Sequence, residues 1–398
     1  MSTSSVCALC GEEDIIEFLN LGRQPLANKY PRGEEDFKKE DFFPLAVFFC
    51  PRCRNVQLGT AVSRARMFED YYYLSSVNPG LVRHFEGLAQ ELAGSRFVVD
   101  IGSNDGILLK PLKELAVKAL GVDPSINVSK IANDAGLETI VSFFTRETAQ
   151  EIKQKYGAPD VVVASSIVTH LENPHPFIEA VKNLMDDNGR FIVEVEYIGN
   201  ILKNVQFERF YLDRVFYYSL ASLKSLFEAH GMRVADVEEI EPHGGSLRVS
   251  AVKNGYPGSA SGTVSPFLEE EKTVLTLTAL QEFKSRVDSH IAALCDKLFE
   301  YRNSCLKVAG YGAPARLATI SNYGRIGQPL IDFVVDDSPL KQNRFSPGMH
   351  IPIVPGSFLE EHKPDVLVVF AHEYFDDIKK KTGGAYRYLL PIPPREVS

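Results

Sequence analysis

The stretch Arg96-Phe97-Val98-Val99-Asp100-Ile101-Gly102-Ser103-Asn104-Asp105-Gly106 restricts this chain to few folds. Phe97 to Val99 is an apolar run that predicts a buried strand. It breaks into a glycine-rich turn, and Ile107 to Leu115 predicts a helix. Strand, glycine turn and helix in succession make a ligand-binding corner. Backbone N–H groups at the helix start face the ligand, and the glycines let it approach. About one βα unit later, Leu120-Gly121-Val122-Asp123-Pro124-Ser125 puts a carboxylate at the end of the next predicted strand. An acid there is placed to accept hydrogen bonds from a ribose.

The corner departs from the dinucleotide fingerprint G-x-G-x-x-G, whose glycines admit a pyrophosphate. Here the pattern is D-x-G-x-N-x-G: Asp100, Gly102, Asn104 and Gly106, with Asp105 beside them. An Asp at the turn and an Asn in place of the second glycine suit a cofactor with an ammonium, a carboxylate and a ribose but no pyrophosphate. S-adenosylmethionine is such a cofactor; a dinucleotide and a purely structural βα connection are the competing readings. Residues 96 to about 250 then alternate strands and helices, as a doubly wound parallel sheet requires. Phe143 and Phe144 follow a short third strand and could face an adenine, and Ser165 ends the fourth strand, on the carboxyl edge where such sheets bind ligands. Thr169 and His170 follow it, and His170 is a candidate base or substrate-positioning group.

Two C-x-x-C pairs, Cys7/Cys10 and Cys50/Cys53, stand before this unit. Two knuckles separated by a longer insert place four thiolates around one tetrahedral ion, zinc by preference, with redox C-x-x-C as the alternative. Four thiolates leave no open coordination position, so the expected role is structural, and a segment this short gains its folding energy from the metal. Leu21 to Asn28, between the knuckles, is a loop that could act as a lid. Cys295 and Cys305 are expected to be ordinary buried thiols. Tyr71, Tyr72 and Tyr73 are either packing anchors or hydroxyls at a site mouth.

Phe207 to Ser219 is dense in titratable and aromatic residues, among them Tyr211, Asp213 and Arg214. His243-Gly244-Gly245 precedes an apolar strand and lets a ligand near the backbone, with His243 and Arg248 at its edges. Asn254 to Thr263 reads as a linker, and Pro266 to Cys305 as one long helix or two. A second α/β unit opens at Lys307, where Gly310-Tyr311-Gly312-Ala313-Pro314-Ala315-Arg316 again turns from strand to helix, ready for an anion. Lys341 and Arg344 follow a later turn. Two such units suggest two substrates meeting in a cleft, and the similar turns suggest an internal duplication.

The chain has 398 residues, enough for two or three domains, and a formal net charge of −9. An acidic chain with no long basic run argues against general nucleic-acid or membrane-surface binding, a zinc-ribbon nucleic-acid binder included. With neither a signal-peptide pattern nor an apolar run long enough to cross a bilayer, the expectation is a cytoplasmic protein, monomeric or weakly homo-oligomeric.

Taken in order, the four cysteines, Asp100 to Gly106, His243 to Arg248, Gly310 to Arg316, and Pro347-Gly-Met-His-Ile-Pro-Ile353 resemble the three-domain sugar-nucleotide C-methyltransferases of bacterial deoxysugar pathways, the C-3'-methyltransferase group. The resemblance spans nearly the whole chain. It implies a zinc-binding domain over 1–65 and a Rossmann-like, S-adenosylmethionine-binding class I methyltransferase domain over 66–260. A second Rossmann-like α/β domain over 261–398 would help hold the acceptor. From the motifs themselves, the expected donor contacts are Asp100, Gly102, Asn104, Asp105, Gly106, Asp123, Phe143, Phe144 and Ser165, and the expected acceptor contacts Arg248, Tyr311, Arg316, Lys341 and Arg344.

The usual substrate of that family is a dTDP-linked 4-keto-deoxysugar. A base removes the proton beside the ketone, and the enolate carbon attacks the sulfonium methyl. The family's site residues map onto a tyrosine near Tyr73, His170 and Tyr211. The chain departs from the family at Tyr211-Leu212-Asp213-Arg214, where the family commonly reads Tyr-His-Glu-His. An arginine is permanently protonated and cannot be a general base; it can stabilise an oxyanion or bind a carboxylate or phosphate. The base role then falls to His243, Asp213 or His170. The alternatives are O-, N- or other C-methylation of a different small acceptor, or a donor-binding scaffold with non-methyl chemistry.

Overall fold

The computed structural model describes residues 2–3, 6–63 and 74–397. Its centre is a seven-stranded sheet built around Phe97–Ile101, all five of whose residues are buried. Lys118–Asp123 and Thr139–Val141 lie in parallel on one side of it, Val161–Ser165 and Arg190–Glu196 on the other. Such strands are covered on both faces by helices, which is why they read as unbroken Val/Ile/Leu runs. The sheet ends in an antiparallel hairpin, Met232–Ile240 and Ser246–Lys253, with Ser246–Lys253 inserted between its partner and Arg190–Glu196. The alternating strands and helices give the expected parallel sheet from Phe97–Ile101 to Arg190–Glu196, and the hairpin adds one antiparallel strand to it. A hairpin turn at Pro242–Gly244 reverses the chain, so the last strand must run against the rest.

Ahead of this unit, Ile16–Pro25, Phe42–Phe49 and Val56–Leu58 form an antiparallel sheet. Its fourth strand, Phe216–Tyr217, comes from the central unit and pairs with Gln57 and Val56. The N-terminal and central units therefore share a sheet rather than meeting at a linker. The C-terminal unit has its own seven-stranded sheet centred on Val308–Tyr311, parallel to Val334–Val335 and Val366–Val369, with antiparallel edges at Arg344–Phe345 and Pro394–Val397.

Two helices connect these sheets, Val264–Val274 and Leu277–Asn303. The first belongs by packing to the central unit: the Glu271 carboxylate accepts from Leu220 N at 2.6 Å and Ala221 N at 2.9 Å, capping the helix Leu220–Ala229. The second starts at Thr276, whose hydroxyl accepts from Ala279 N at 3.2 Å. It buries Leu280, Phe283, Val287, Ile291, Leu294, Leu298 and Tyr301, one stripe at helical spacing. Phe283 meets Phe18 of the N-terminal sheet and Phe210 of the central unit, each at 6.2 Å between ring centres, so one helix ties three units together. Cys295 is half-buried, but Cys305 is exposed, at φ +57 just past the helix end, which corrects the expectation of two buried thiols.

Candidate active site

A cavity of about 1290 Å³ opens between the three units. One of its ends is the corner that dominates the sequence. Gly102 N donates to Val122 O at 2.7 Å, Asn104 N to Asp123 Oδ2 at 3.0 Å, and Ser125 N to Asp123 Oδ1 at 2.9 Å. Gly102 sits at φ +79, and a Cβ there would lie 2.1 Å from Ile167 Cδ1, so only glycine fits. The wall carries Asp100, Gly102, Asn104, Asp123, Phe143, Phe144 and Ser165. Burial pushes the Asp100 carboxyl up to about 8, and the nearby Asp123 and Glu194 push the same way. Burial also raises Asp123, partly offset by its two backbone donors. A pocket lined with carboxylates that resist ionisation alone favours a cation, as S-adenosylmethionine is, and disfavours a pyrophosphate.

Asp105 and Gly106 stand behind the turn instead of on the cavity wall, which corrects their expected contact with the donor. The Asp105 carboxylate accepts from Ser76 N at 3.2 Å and Ser76 Oγ at 2.5 Å. Asn104 Oδ1 likewise accepts from Ser75 N at 3.0 Å. These bonds dock residues 75–76 onto the turn. Gly106, at φ +85, leaves room for Leu137, whose Cδ1 would be 2.5 Å from an added Cβ.

The C-terminal corner has a similar set of hydrogen bonds, with the N–H that meets the acid one residue nearer the glycine. Gly312 N donates to Val335 O at 2.7 Å, Ala313 N to Asp336 Oδ2 at 2.7 Å, and Ser338 N to Asp336 Oδ1 at 2.9 Å. Gly312 has φ +86, beside Gly102's +79. The similarity expected from the two turns is therefore one of individual hydrogen bonds. The charges differ. Gly310 replaces the acid Asp100, and Tyr311, Arg316, Lys341 and Arg344 face the same cavity. Lys341 Nζ donates to Ala313 O at 3.0 Å, and Arg344 Nη1 to Tyr30 O at 3.3 Å. Asp336, Asp337 and Glu373 line this end too, with Lys341 paired to Asp336 and Arg316 to Glu373, so cations stand here among carboxylates.

Between the ends lie His170, Tyr211, Asp213 and Arg214. His170 Nδ1 is 2.5 Å from the Asp213 carbonyl oxygen. A carbonyl only accepts, so Nδ1 carries the proton and the lone pair of the neutral ring sits on Nε2. Burial raises the Asp213 carboxyl, while a 2.7 Å hydrogen bond from Asn28 Nδ2 and the charge of Arg214 pull it back. The expectation of a lid loop over Leu21 to Asn28 is corrected: Leu21 to Pro25 are the end of the strand Ile16–Pro25, paired with Phe42–Phe49, and Asn28 just beyond it is anchored inside the site. Burial pushes the Tyr211 hydroxyl up to about 12, so it stays a neutral donor, and the Arg214 guanidinium lies 5.0 Å from its ring centre. Arg214 is also paired with Glu196.

Arg248 does not reach the cavity, a second correction. Its guanidinium is buried against Glu194 (2.7 Å), Glu238 (2.8 Å) and Glu91 (3.1 Å), and three carboxylates leave it little for a ligand. Glu194 also accepts from His84 Nε2 at 2.9 Å and Ser165 Oγ at 2.7 Å. Burial alone would raise the Glu194 carboxyl, but His84, Arg248 and Ser165 outweigh it and hold it down at about 2. Tyr73 and the side chain of His243 lie outside the described residues; the backbone of His243 falls in the hairpin turn Pro242–Gly244. Glu194, Glu196, Arg209 and Asn28 are not singled out by the sequence pattern. The available signal is Phe191-Ile-Val-Glu-Val-Glu196: two acids inside a buried strand demand buried partners.

The four cysteine sulfurs lie within 4.8 Å of one another, with Cys7–Cys53 and Cys10–Cys50 both at 3.6 Å. Tetrahedral zinc with bonds of about 2.3 Å places thiolates about 3.8 Å apart, so the donor set fits. The knuckles match in detail. Cys7 N and Cys50 N donate to Glu12 O and Asn55 O, and Gly11 N and Arg54 N return to Cys7 O and Cys50 O.

Three family models match in succession: a zinc binding domain over residues 7–68, a methyltransferase domain over 68–237 and the C-methyltransferase C-terminal domain over 241–393. The C-methyltransferase NovU of Streptomyces niveus is 32% identical over 405 residues, 98% of this chain and 96% of that one. The chain belongs to the three-domain C-methyltransferase family. It is an S-adenosylmethionine-dependent methyltransferase with a four-cysteine zinc site. A ubiquinone biosynthesis O-methyltransferase of Cupriavidus pinatubonensis is 30% identical over 122 residues, 30% of this C-methyltransferase and 48% of that protein. Among solved structures, the magnesium protoporphyrin IX methyltransferase of Synechocystis PCC 6803 with bound SAM aligns at TM-score 0.35 and 16% identity, over 48% of this chain and 88% of that one. Among the described residues, no helix is long and apolar enough to cross a membrane.

Proposed function

We propose that this C-methyltransferase acts on a nucleotide-linked ketosugar of the dTDP type and methylates the carbon beside the carbonyl. The observation that carries the reading is the division of the cavity: the carboxylates Asp100 and Asp123 at the Gly102 corner, the cations Arg316, Lys341 and Arg344 interleaved with Asp336, Asp337 and Glu373 at the Gly312 corner, and His170, Tyr211, Asp213 and Arg214 between them. A cationic donor and an anionic acceptor would then approach from opposite ends. Asp100, Gly102, Asn104 and Asp123 hold the donor, with Phe143 and Phe144 beside its base. Tyr311, Arg316, Lys341 and Arg344 hold the acceptor's phosphates.

S-adenosylmethionine supplies, when bound, a methyl group on a sulfonium. The protein must make a carbon nucleophile, since an unactivated C–H does not attack. His170 Nε2 takes the proton next to the carbonyl, with its ring oriented by the Asp213 backbone. Arg214 cannot take a proton, but its fixed charge stabilises the oxyanion of the enolate, an effect worth about 100-fold or more in rate. Tyr211 donates to the same oxygen. Asn28 holds the Asp213 side chain and with it the carbonyl that steers His170.

A second reading, transfer to oxygen or nitrogen of another acceptor, is favoured by Arg214 standing where the family's base histidine stands. Proton exchange separates the two. A dTDP-linked 4-ketosugar incubated with the enzyme in D2O should gain deuterium beside the carbonyl, and His170→Gln should slow this by about 100-fold or more. Methylation without any exchange-competent carbon acid would instead favour the second reading.

A further inference from the structure

The seam between the central and C-terminal units carries five charged side chains in alternation, four of them buried and the fifth, Glu373, exposed. Arg214 is paired with one oxygen of Glu196, and the other oxygen takes Arg209 Nη1 at 3.1 Å. Arg209 Nη2 is paired with one oxygen of Glu373, whose other oxygen takes Arg316 Nη2 at 3.2 Å. All five line the cavity, with Arg214 at one end of the row beside His170 and Arg316 at the other, at the Gly312 corner. Three guanidiniums alternate with two carboxylates; burial raises the adjacent Glu208 carboxyl, while the charges of Arg316 and Arg209 pull it back.

Arg209 is the member that joins the units. It is 5% exposed and spends its two terminal nitrogens on glutamates from different sheets: Glu196 at the end of Arg190–Glu196, Glu373 after Val366–Val369. The Gly244-Gly245 pair makes room for it. Gly244 lies at φ +74, and a Cβ there would come within 2.4 Å of Arg209 Nη2. A glycine motif that reads in sequence as room for a ligand is thus, at Gly244, room for a guanidinium.

We propose that Arg209 is a positioning residue that fixes Arg214 and Arg316 relative to each other, so that an acceptor held by its phosphates at Arg316 presents its carbonyl oxygen to Arg214. The proposal rests on the acceptor reading above and names what keeps that acceptor in register. Two long arginine side chains in a wide cavity gain catalytic value only when their geometry is fixed before the reaction. Arginine's planar fork serves two carboxylates at once, and lysine's single ammonium cannot.

The test compares wild type, Arg209→Met, Arg209→Lys and Gly244→Ala. Turnover is measured with S-adenosylmethionine and a dTDP-linked 4-ketosugar, and binding of dTDP and of the donor by calorimetry. The expected result is a loss in kcat/KM for the acceptor of about 100-fold in Arg209→Met, shared between kcat and KM, with donor affinity within about twofold of wild type. Arg209→Lys should recover little of it. Gly244→Ala, which alters no charge, should fall in the same direction and serves if Arg209→Met does not fold. A loss confined to KM would make Arg209 only a phosphate ligand, and a loss that tracks donor affinity would make it a fold support; either overturns the proposal. Wild type that turns over the sugar beside variants that do so equally well sinks the Arg209 role alone. Wild type that neither binds dTDP nor uses the sugar sinks the acceptor reading, and this role with it.

Discussion

Replacing Asp100 with asparagine should move stability and donor affinity in opposite directions. Burial pushes this carboxyl up to about 8, from an ordinary value of 3.8, because water is excluded and Asp123 and Glu194 lie nearby. The folded protein thus keeps a proton that the unfolded chain releases. The stability this provides is complete below about pH 4 and is lost as pH rises through about 8. At 1.36 kcal/mol per unit over about four units, the loss is at most about 5 kcal/mol. Asparagine has no such proton, so Asp100→Asn should flatten the fall in Tm between pH 5 and 8. The donor's ammonium favours the ionised carboxylate. Between pH 6 and 7 the ionised fraction of Asp100 rises about tenfold, so the donor Kd of wild type should fall about tenfold. The variant should bind more weakly, with no such slope; the donor's own amine titrates alike against both proteins and cancels in the comparison. Calorimetry in two buffers of different ionisation heat reads the affinity and the released proton together. A wild-type Kd that stays flat between pH 6 and 7, with no proton released, would refute the argument.

Three further outcomes can be checked. Cys50→Ser should remove the bound zinc, seen by metal analysis of the purified chain, and lower stability by more than about 3 kcal/mol, because the N-terminal sheet depends on the four-sulfur cluster. Gly102→Ala should weaken donor binding at least about tenfold and cost about 1–3 kcal/mol, since its Cβ meets Ile167 at 2.1 Å on a backbone at φ +79. Asn28→Ala removes the 2.7 Å bond that lowers the Asp213 carboxyl, so stability should drop by about 1–2 kcal/mol.

What the sequence discloses and what it hides follow the range of the interactions. The Gly102 corner is legible because strand, turn, helix and the following acid lie within about 30 residues, the span of one βα unit, and are fixed by local backbone chemistry. The four cysteines are legible because spacing alone nearly determines how thiolates reach one ion. Arg248 is misread from sequence because its three carboxylates, Glu91, Glu194 and Glu238, come from distant segments, and no local pattern says that they converge. Asp105 and Gly106 match a motif, yet their neighbours Ser76 and Leu137 turn them into supports. The antiparallel insertion of Ser246–Lys253 is also non-local: its alternation would fit either direction, and only the short Pro242–Gly244 turn excludes a parallel return.

The most direct test of the whole account follows the methyl carbon itself. S-adenosylmethionine labelled with 13C in its methyl group is incubated with the enzyme and a dTDP-linked 4-ketosugar, and the product is examined by NMR. The account predicts a labelled methyl coupled to the ring carbon next to the carbonyl, with one S-adenosylhomocysteine formed per sugar methylated. Label found on oxygen or nitrogen, or donor bound tightly while the sugar returns unlabelled, would contradict it.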